Sequence, residues 1–508
     1  MAKHLIHLAF SSWVIDNMVM YDTALKLHQQ GDEVHLFYCT GIPAVCWANP
    51  CQNKSICRWC NWYRNKMAAP LPSGIKIHNF TQYYDESLAA KVDSIPLNYN
   101  SIEEIKELRY KEVQIGYGAL STYVSQTRNL NPLIDDNFKN FFNVYLRAEC
   151  LLVEILARAL EDIKPDLVSL YNGRFFETRP IYDYSKNAGY LVRCYENVRP
   201  LGIKKGMSTI FFDNCLPHNI KFNKEFIEKN WQNSPLPENE KEKIGRSFFE
   251  NRRAGKRAGD IVYTAGQTAG LLPKEWDAKK RNIVIFNTAE DEFMAIGDEY
   301  NWLSLFSNQL EGIKSILELC KDESEICFYL RVHPSLKGIK YRYHLDLYDL
   351  EKQYSNVKVI PPDSEVSSYV LLDEAEKVVV FGSTIGVEAA YWGVPVVLLA
   401  EAFYSYLDLC YTPSSISELK ETLLTNLKPK DNLSALKYGF FIMKDTREDP
   451  ITNFDIRATI IKKKYFFFKY RPIRYSTVYL AVIKIFLIVF NKIYPQKKNT
   501  IPTKENNY

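Results

Sequence analysis

Between His4 and Gly41 the chain alternates short apolar runs with a helical stretch: HLIHLAF, then SSWVIDN, then MVMYDTALKLHQQG, then DEVHLFYC. The flanking runs are nearly continuous, as suits strands buried on both faces. The middle stretch carries apolar residues at helical spacing and closes on Gly31, a natural helix C-terminus. Such a strand, helix, strand opening predicts a parallel sheet layered with helices. Helical patterning fills 101–163, and KPDLVSLYNGR and AGYLVRCYENVR add further strands. A second α/β set opens at RNIVIFNT. It continues through LFSNQLEGIKSILELC, ICFYLRVHP, VKVIPP, VSSYVLLDEAE, KVVVFG, GVEAAYWG and VPVVLLA, strands alternating with helices. The pattern predicts two doubly wound parallel-sheet units in tandem, over 1–265 and 266–445, followed by a tail over 446–508. The charged segment 219–259, with a Pro-rich break at Ser234 to Pro237, reads as a connector or lid. No Gly-x-Gly-x-x-Gly follows the first strand, which weakens a dinucleotide-binding reading.

Composition agrees with two units, since 508 residues exceed what one core organises. Apolar residues at 46% and charged ones at 24% are ordinary for a globular protein. Aromatics reach 14%, which suits an aromatic core and also sugar stacking. The net charge of +4 hides an asymmetry: 456–508 holds twelve Lys and Arg against Glu505, so that tail carries +11 and the rest −7. A local basic segment argues against a nucleic-acid binder, which spreads its charge over a folded face. The opening MAKHLIHLAF lacks the marks of a signal peptide, and eleven cysteines are diluted along the chain. The expectation is a cytoplasmic protein with reduced thiols.

Ligands in open parallel sheets bind beyond the carboxyl ends of the strands. There the chain places Glu290, Asp291 and Glu292 after IVIFN, Arg331 and His333 after CFYL, and Gly382, Ser383 and Thr384 after KVVVF. Arg331 and His333 are donors suited to phosphate oxygens, and Pro334 stops the strand. Gly382 permits a close turn, and Ser383 and Thr384 precede a helix start of the kind that attracts phosphate. Glu388, one turn along, is placed to accept ribose hydroxyls; the structural alternative makes it a solvated helix residue and the hydroxyls an N-cap. In the first unit Asn172, Arg174 and Arg179 follow one strand and Glu196 the next, an arrangement open to an acidic acceptor or to surface ion pairs.

The segments RVHPS, VIPPDSEVSSYVLLDEAEKVVVFGSTIGVEAAYWGVPVVLL and FNTAEDEF, with LYNGR and YENVR, resemble the capsular or surface polysaccharide glycosyltransferases of the GT-B class. The resemblance spans most of 1–445. It implies a nucleotide-sugar donor, CMP-activated in some relatives, on the second unit, a lipid-linked glycan acceptor on the first, and catalysis in the cleft between them. Arg331, His333, Ser383 and Thr384 would then stabilise the leaving phosphate without a metal, with Gly382 and Glu388 completing the nucleotide site. Asp291 and Glu292 rank first as the base that takes the acceptor proton, ahead of Glu290, Asp16 and Glu196. Asn172, Arg174, Arg179 and Glu196 would hold the acceptor. A polyol-phosphate transferase, a sugar-nucleotide epimerase and a non-catalytic assembly protein are the alternatives.

Two features stand outside that scheme. Cys39, Cys46, Cys57 and Cys60, in a Cys-rich loop at 39–60, are compatible with a structural zinc site, at an irregular spacing that free thiols or a disulfide also fit. In the tail, 478–490 is apolar except for Lys484, too short to span a bilayer. Flanked by Lys, Arg and aromatics, it predicts peripheral attachment to the cytoplasmic face of the inner membrane.

Overall fold

The computed structural model describes residues 1–8, 14–69, 71–202, 206–256, 258–259, 262–264, 266–300, 302–303, 305–443 and 501–506. The chain divides into two compact units. The first takes residues 1–127 and 131–217 together with the C-terminal residues; the second takes 128–130 and 218–448.

The first unit is built on a six-stranded sheet of β1 (Lys3–Leu8), β2 (Glu33–Tyr38), β3 (Lys76–Asn79), β4 (Leu167–Tyr171), β5 (Leu191–Gly202) and β6 (Gly206–Asp213), in the order β3-β2-β1-β4-β5-β6. All neighbours are parallel except β5 and β6. Ile6, Leu8, Val34 and Leu36 from the central strands close a core with Val19 and Met20 of the helix Val14–Gln29. The region 101–163 resolves into three helices, of which Asp136–Ile163 is the longest. Its N-terminus is capped by Asp135, whose carboxylate accepts from the Phe138 N–H at 2.8 Å. Residues 501–506 return to this unit: Leu133 N–H donates to Lys504 O at 3.0 Å and the Tyr123 hydroxyl to Pro502 O at 2.8 Å.

The second unit carries a five-stranded sheet of β7 (Arg281–Phe286), β8 (Ile326–Arg331), β9 (Val357–Ile360), β10 (Lys377–Val380) and β11 (Val396–Leu398), ordered β11-β10-β7-β8-β9. Every pairing is parallel. Both units are thus the α/β layers that the pattern predicts, but the boundary lies at 217/218 rather than 265/266. The supposed connector forms the helices Ile220–Gln232 and Glu238–Arg253, which bury Ile227, Trp231, Phe248 and Phe249. Most of its charge, Lys241 and Arg252 apart, lies on the outer faces and disguised the apolar stripe within.

Strand order locates the functional ends. From β7 the chain steps outward to β8 and β9, then returns to the other side for β10 and β11, so the direction reverses between β7 and β10. In the first unit the reversal falls between β1 and β4. The crevice outside the strand ends at such a reversal is where doubly wound sheets bind ligands. No helix among the described residues is long and apolar enough to cross a membrane.

Candidate functional site

The loop after β7 is braced before it presents anything. Asn287 and Thr288 are buried, and Asn287 Oδ1 accepts from the backbone N–H of His333 at 2.8 Å, tying the ends of β7 and β8 together. Gln309, at the start of the helix Gln309–Leu319, clamps Thr288 from both sides: its Oε1 accepts from Thr288 N–H at 2.8 Å and its Nε2 donates to Thr288 O at 3.1 Å. The same amide reaches Glu290 Oε2 at 3.5 Å. Burial pushes the Glu290 carboxyl up to about 7, with the neighbouring Asp291 charge adding to the shift.

Asp291 has a different fate. Arg128 grips it with two bonds, Nε to Oδ2 at 2.7 Å and Nη2 to Oδ1 at 3.1 Å. Arg128 stands in the left-handed region, φ 59°, and its carbonyl accepts from the Tyr343 hydroxyl at 3.1 Å. Consecutive carboxyl groups are therefore set apart, one tied to a guanidinium and the other tuned to exchange a proton near neutrality. Glu292, ranked with Asp291 from sequence, is exposed.

Arg331 ends β8 and His333 follows it. Ser335 N–H donates to His333 Nδ1 at 3.2 Å, so the proton of the neutral ring is assigned to Nε2. The ring is neutral because burial, then the charges of Arg128 and Arg331, hold it down at about 4. It therefore offers an N–H donor, with Tyr263 edge-on at 5.2 Å. Arg331 is not the phosphate fork expected. Its terminal nitrogens donate to Pro361 O at 2.5 Å and Ser364 O at 3.1 Å, turning the guanidinium into the loop after β9. Its buried Nε meets no partner among the described residues, and burial lowers the group to about 10.

After β10, Gly382 adopts φ 84°, and a Cβ there would lie 3.0 Å from Glu401 O and 3.2 Å from Trp302 Nε1. Only glycine fits that turn. Ser383 and Thr384 are half-buried, and Thr384 does not spend its hydroxyl capping the helix Ile385–Tyr391. Tyr404 fixes the turn by donating to Ser383 O at 2.5 Å. Glu388 corrects the expectation of a ribose acceptor. It is 1% exposed, accepts from Arg252 Nε at 2.9 Å and from the Tyr369 hydroxyl, and cements the helix Glu238–Arg253 to the sheet layer.

In the first unit, Asn172 and Gly173 turn the chain after β4 through left-handed φ values of 53° and 90°. Asn172 Nδ2 donates to Glu196 Oε2 at 3.0 Å and the Tyr171 hydroxyl to Oε1 at 3.3 Å, so the end of β4 and the turn after it share the carboxylate of Glu196, which lies within β5 rather than after it. Arg174, half-buried, lies over the Phe175 ring at 4.7 Å. Arg179 is fully buried and bonds Asp183 at 2.8 Å within its own helix.

Among the described residues, which include Cys39, Cys46, Cys57 and Cys60, no group of three or more His, Cys, Asp or Glu is placed to hold a metal ion. Cys39 Sγ accepts from Gly41 N–H at 3.1 Å, Cys57 Sγ from Asn49 Nδ2 at 3.3 Å and Cys60 Sγ from Arg64 Nη2 at 3.6 Å. Burial pushes the Cys39 thiol up to about 12 and raises Cys46 and Cys57 as well. The stretch 478–490, for which the sequence predicts membrane attachment, lies outside the described residues.

Residues 255–435 match the family model described as "Capsule polysaccharide biosynthesis protein", the segment that holds the His-Pro and Gly-Ser-Thr motifs. No curated protein matches the chain. Among solved structures, "KpsC, beta Kdo 2,7 transferase" of Thermosulfurimonas dismutans aligns at 15% identity and TM-score 0.33, over 61% of this chain and 88% of that one. The "KpsC, beta Kdo 2,4 transferase" of the same organism aligns at 12% and 0.32, over 54% and 78%. A UDP-GlcNAc 2-epimerase from Neisseria meningitidis aligns at 13% and 0.25, over 91% and 98%.

Proposed function

We propose that the chain is a glycosyltransferase of surface-polysaccharide synthesis, moving a sugar from a nucleotide-sugar donor to a lipid-linked glycan. The observation that carries this reading is the group at the β7, β8 and β10 ends: a neutral imidazole donor, a buried guanidinium, two hydroxyls on a glycine turn, and a carboxyl poised near 7. The family match over 255–435 supports it.

The chemistry follows from those states. As the anomeric C–O bond breaks, its electron pair goes to the departing phosphate oxygen. His333 Nε2–H and the hydroxyls of Ser383 and Thr384 donate to that phosphate, and Arg331 lends positive potential from beneath, so no metal is called for. The acceptor oxygen forms the new bond to the anomeric carbon and gives its proton to the ionised form of Glu290, which replaces Asp291 in this role because Asp291 is occupied by Arg128. Asn172, Arg174 and Glu196 are assigned to the acceptor, and the basic tail to an anionic membrane surface on the cytoplasmic side.

The test is thermal unfolding of the full chain with CMP, CDP, UDP and GDP in turn, repeated for His333→Ala. One nucleotide should raise the midpoint, and the variant should lose that rise while keeping its own midpoint. A chain indifferent to all four, or a rise untouched by the substitution, refutes the donor site.

A further inference from the structure

At the edge of the first unit's sheet, five side chains form an unbroken line of hydrogen bonds. Glu33 Oε1 meets His35 Nε2 at 2.9 Å, His35 Nδ1 meets His78 Nε2 at 2.9 Å, His78 Nδ1 meets the Tyr83 hydroxyl at 2.8 Å, and that hydroxyl meets Asp162 Oδ2 at 2.8 Å. Glu33 and His35 stand on β2 and His78 on the edge strand β3. Tyr83 closes the short turn of helix Phe80–Tyr83, and Asp162 sits at the end of the helix Asp136–Ile163. The two imidazoles stack at 5.0 Å.

The line has four junctions, and each needs one proton. Tyr83 brings one, each neutral imidazole brings one, and an ionised carboxylate brings none. Three protons cannot close four junctions. With Tyr83 donating to Asp162, His78 must donate to Tyr83 and His35 to His78, which leaves His35 Nε2 facing Glu33 acceptor to acceptor. One added proton on the imidazole pair completes the line.

The surroundings decide where that proton resides. Lys76 Nζ donates to Glu33 Oε1 at 2.5 Å, and Lys3 Nζ from β1 lies 3.8 Å from Oε2. The bonds from Lys76 and His35 hold Glu33 at about 2, so the carboxylate end stays ionised. Arg158, on the same helix as Asp162, donates to Tyr83 O at 3.3 Å and to Asp85 at 2.6 Å. Burial lowers both imidazoles, against which Glu33 pulls His35 up and Asp162 pulls His78 up.

We propose that this line is a proton-operated latch, in which His35 and His78 jointly take up a single proton on acidification and so fasten the edge strand β3 and the turn after it between β2 and the end of the long helix. Release of the proton opens the Glu33 junction. None of the five residues belongs to the candidate site, so the latch stands or falls apart from the glycosyl-transfer reading.

The test is a pH titration of the full chain carrying nitrogen-15 histidine, read by ring nitrogen shifts, with His35→Gln and His78→Gln assigning the signals. Both rings should report one shared step. In Asp162→Asn the new amide donates to Tyr83, which turns its proton toward His78, and the neutral pair then satisfies every junction. The step should move to lower pH by roughly tenfold in proton concentration. Tyr83→Phe leaves two junctions for two imidazole protons and should move it likewise. Amide exchange over 76–79 should be slower below the step. Rings that titrate independently, a step unmoved in both variants, or equal exchange on either side of it would overturn the latch.

Discussion

Glu290 and Glu388 show how far a residue's role depends on what surrounds it. Both were candidates because they follow strands that reach the site, yet one is tuned near neutrality and the other is locked to Arg252 and Tyr369. A carboxyl whose folded value stands above its unfolded one contributes stability in full below the unfolded value, near 4.5, and loses it as pH rises through about 7. Glu290→Gln cannot ionise, so its stability relative to the wild type should grow between about pH 5 and pH 8, by on the order of 2 kcal/mol. Urea unfolding across that range would show it, and a difference independent of pH would contradict the assignment. Glu388→Ala leaves the Arg252 guanidinium buried without its carboxylate and should cost about 3–5 kcal/mol in the same measurement. A loss below about 1 kcal/mol would return Glu388 to the solvated role the sequence allowed. Sequence showed the types of residue at the strand ends because strand ends are legible from apolar runs. Their partners were not legible: Arg128 and Gln309 come from other segments, and Arg128 from between two helices with no pattern to mark it.

At the scale of elements, the second unit's helical layer rests on a glycine contact. The helices Glu238–Arg253 and Leu433–Met443 cross where Gly245 and Gly439 face each other. A Cβ on Gly245 would stand 2.4 Å from Leu436 O, and one on Gly439 would stand 2.4 Å from Gly245 O. Backbone cannot yield as a side-chain tip can, so Gly245→Ala and Gly439→Ala should each cost about 1–3 kcal/mol, and less than additively together. Gly266→Ala, whose Cβ would meet nothing within 4 Å, is the control. Unchanged thermal midpoints in both crossing variants would mean the helices do not meet there. Four strands of the first sheet and all five of the second were readable because buried parallel strands are continuous Val, Ile and Leu runs, whereas the edge strands β3 and β6 carry no such run and went unread. The helices 220–253 were misassigned to the first unit for the converse reason. Phe248 and Phe249 lie among so many charges that composition outweighed periodicity, and sequence proximity cannot say which sheet a helix packs on.

For the whole molecule, the question is what a +11 tail does on a chain that is otherwise −7. The return of residues 501–506 to the first unit, through Leu133, Tyr123 and the Pro132 and Glu505 bridge, means the C-terminus is also a structural element. Deleting everything after Thr459 therefore confounds two effects. The cleaner perturbation neutralises Lys462, Lys463, Lys464, Lys469, Arg471 and Arg474 with Gln and leaves 501–506 intact. Each basic residue near an anionic bilayer contributes about 1 kcal/mol, so six together should weaken vesicle binding by several powers of ten. The wild-type chain should float with vesicles containing phosphatidylserine, more weakly as salt rises, and not with purely zwitterionic ones. The neutralised chain should remain in solution with an unchanged thermal midpoint, whereas the deletion should lower both binding and midpoint. Flotation of the neutralised chain at wild-type levels would remove electrostatic attachment from the account. A neutralised chain that loses its midpoint would show instead that the basic stretch belongs to the first unit's packing.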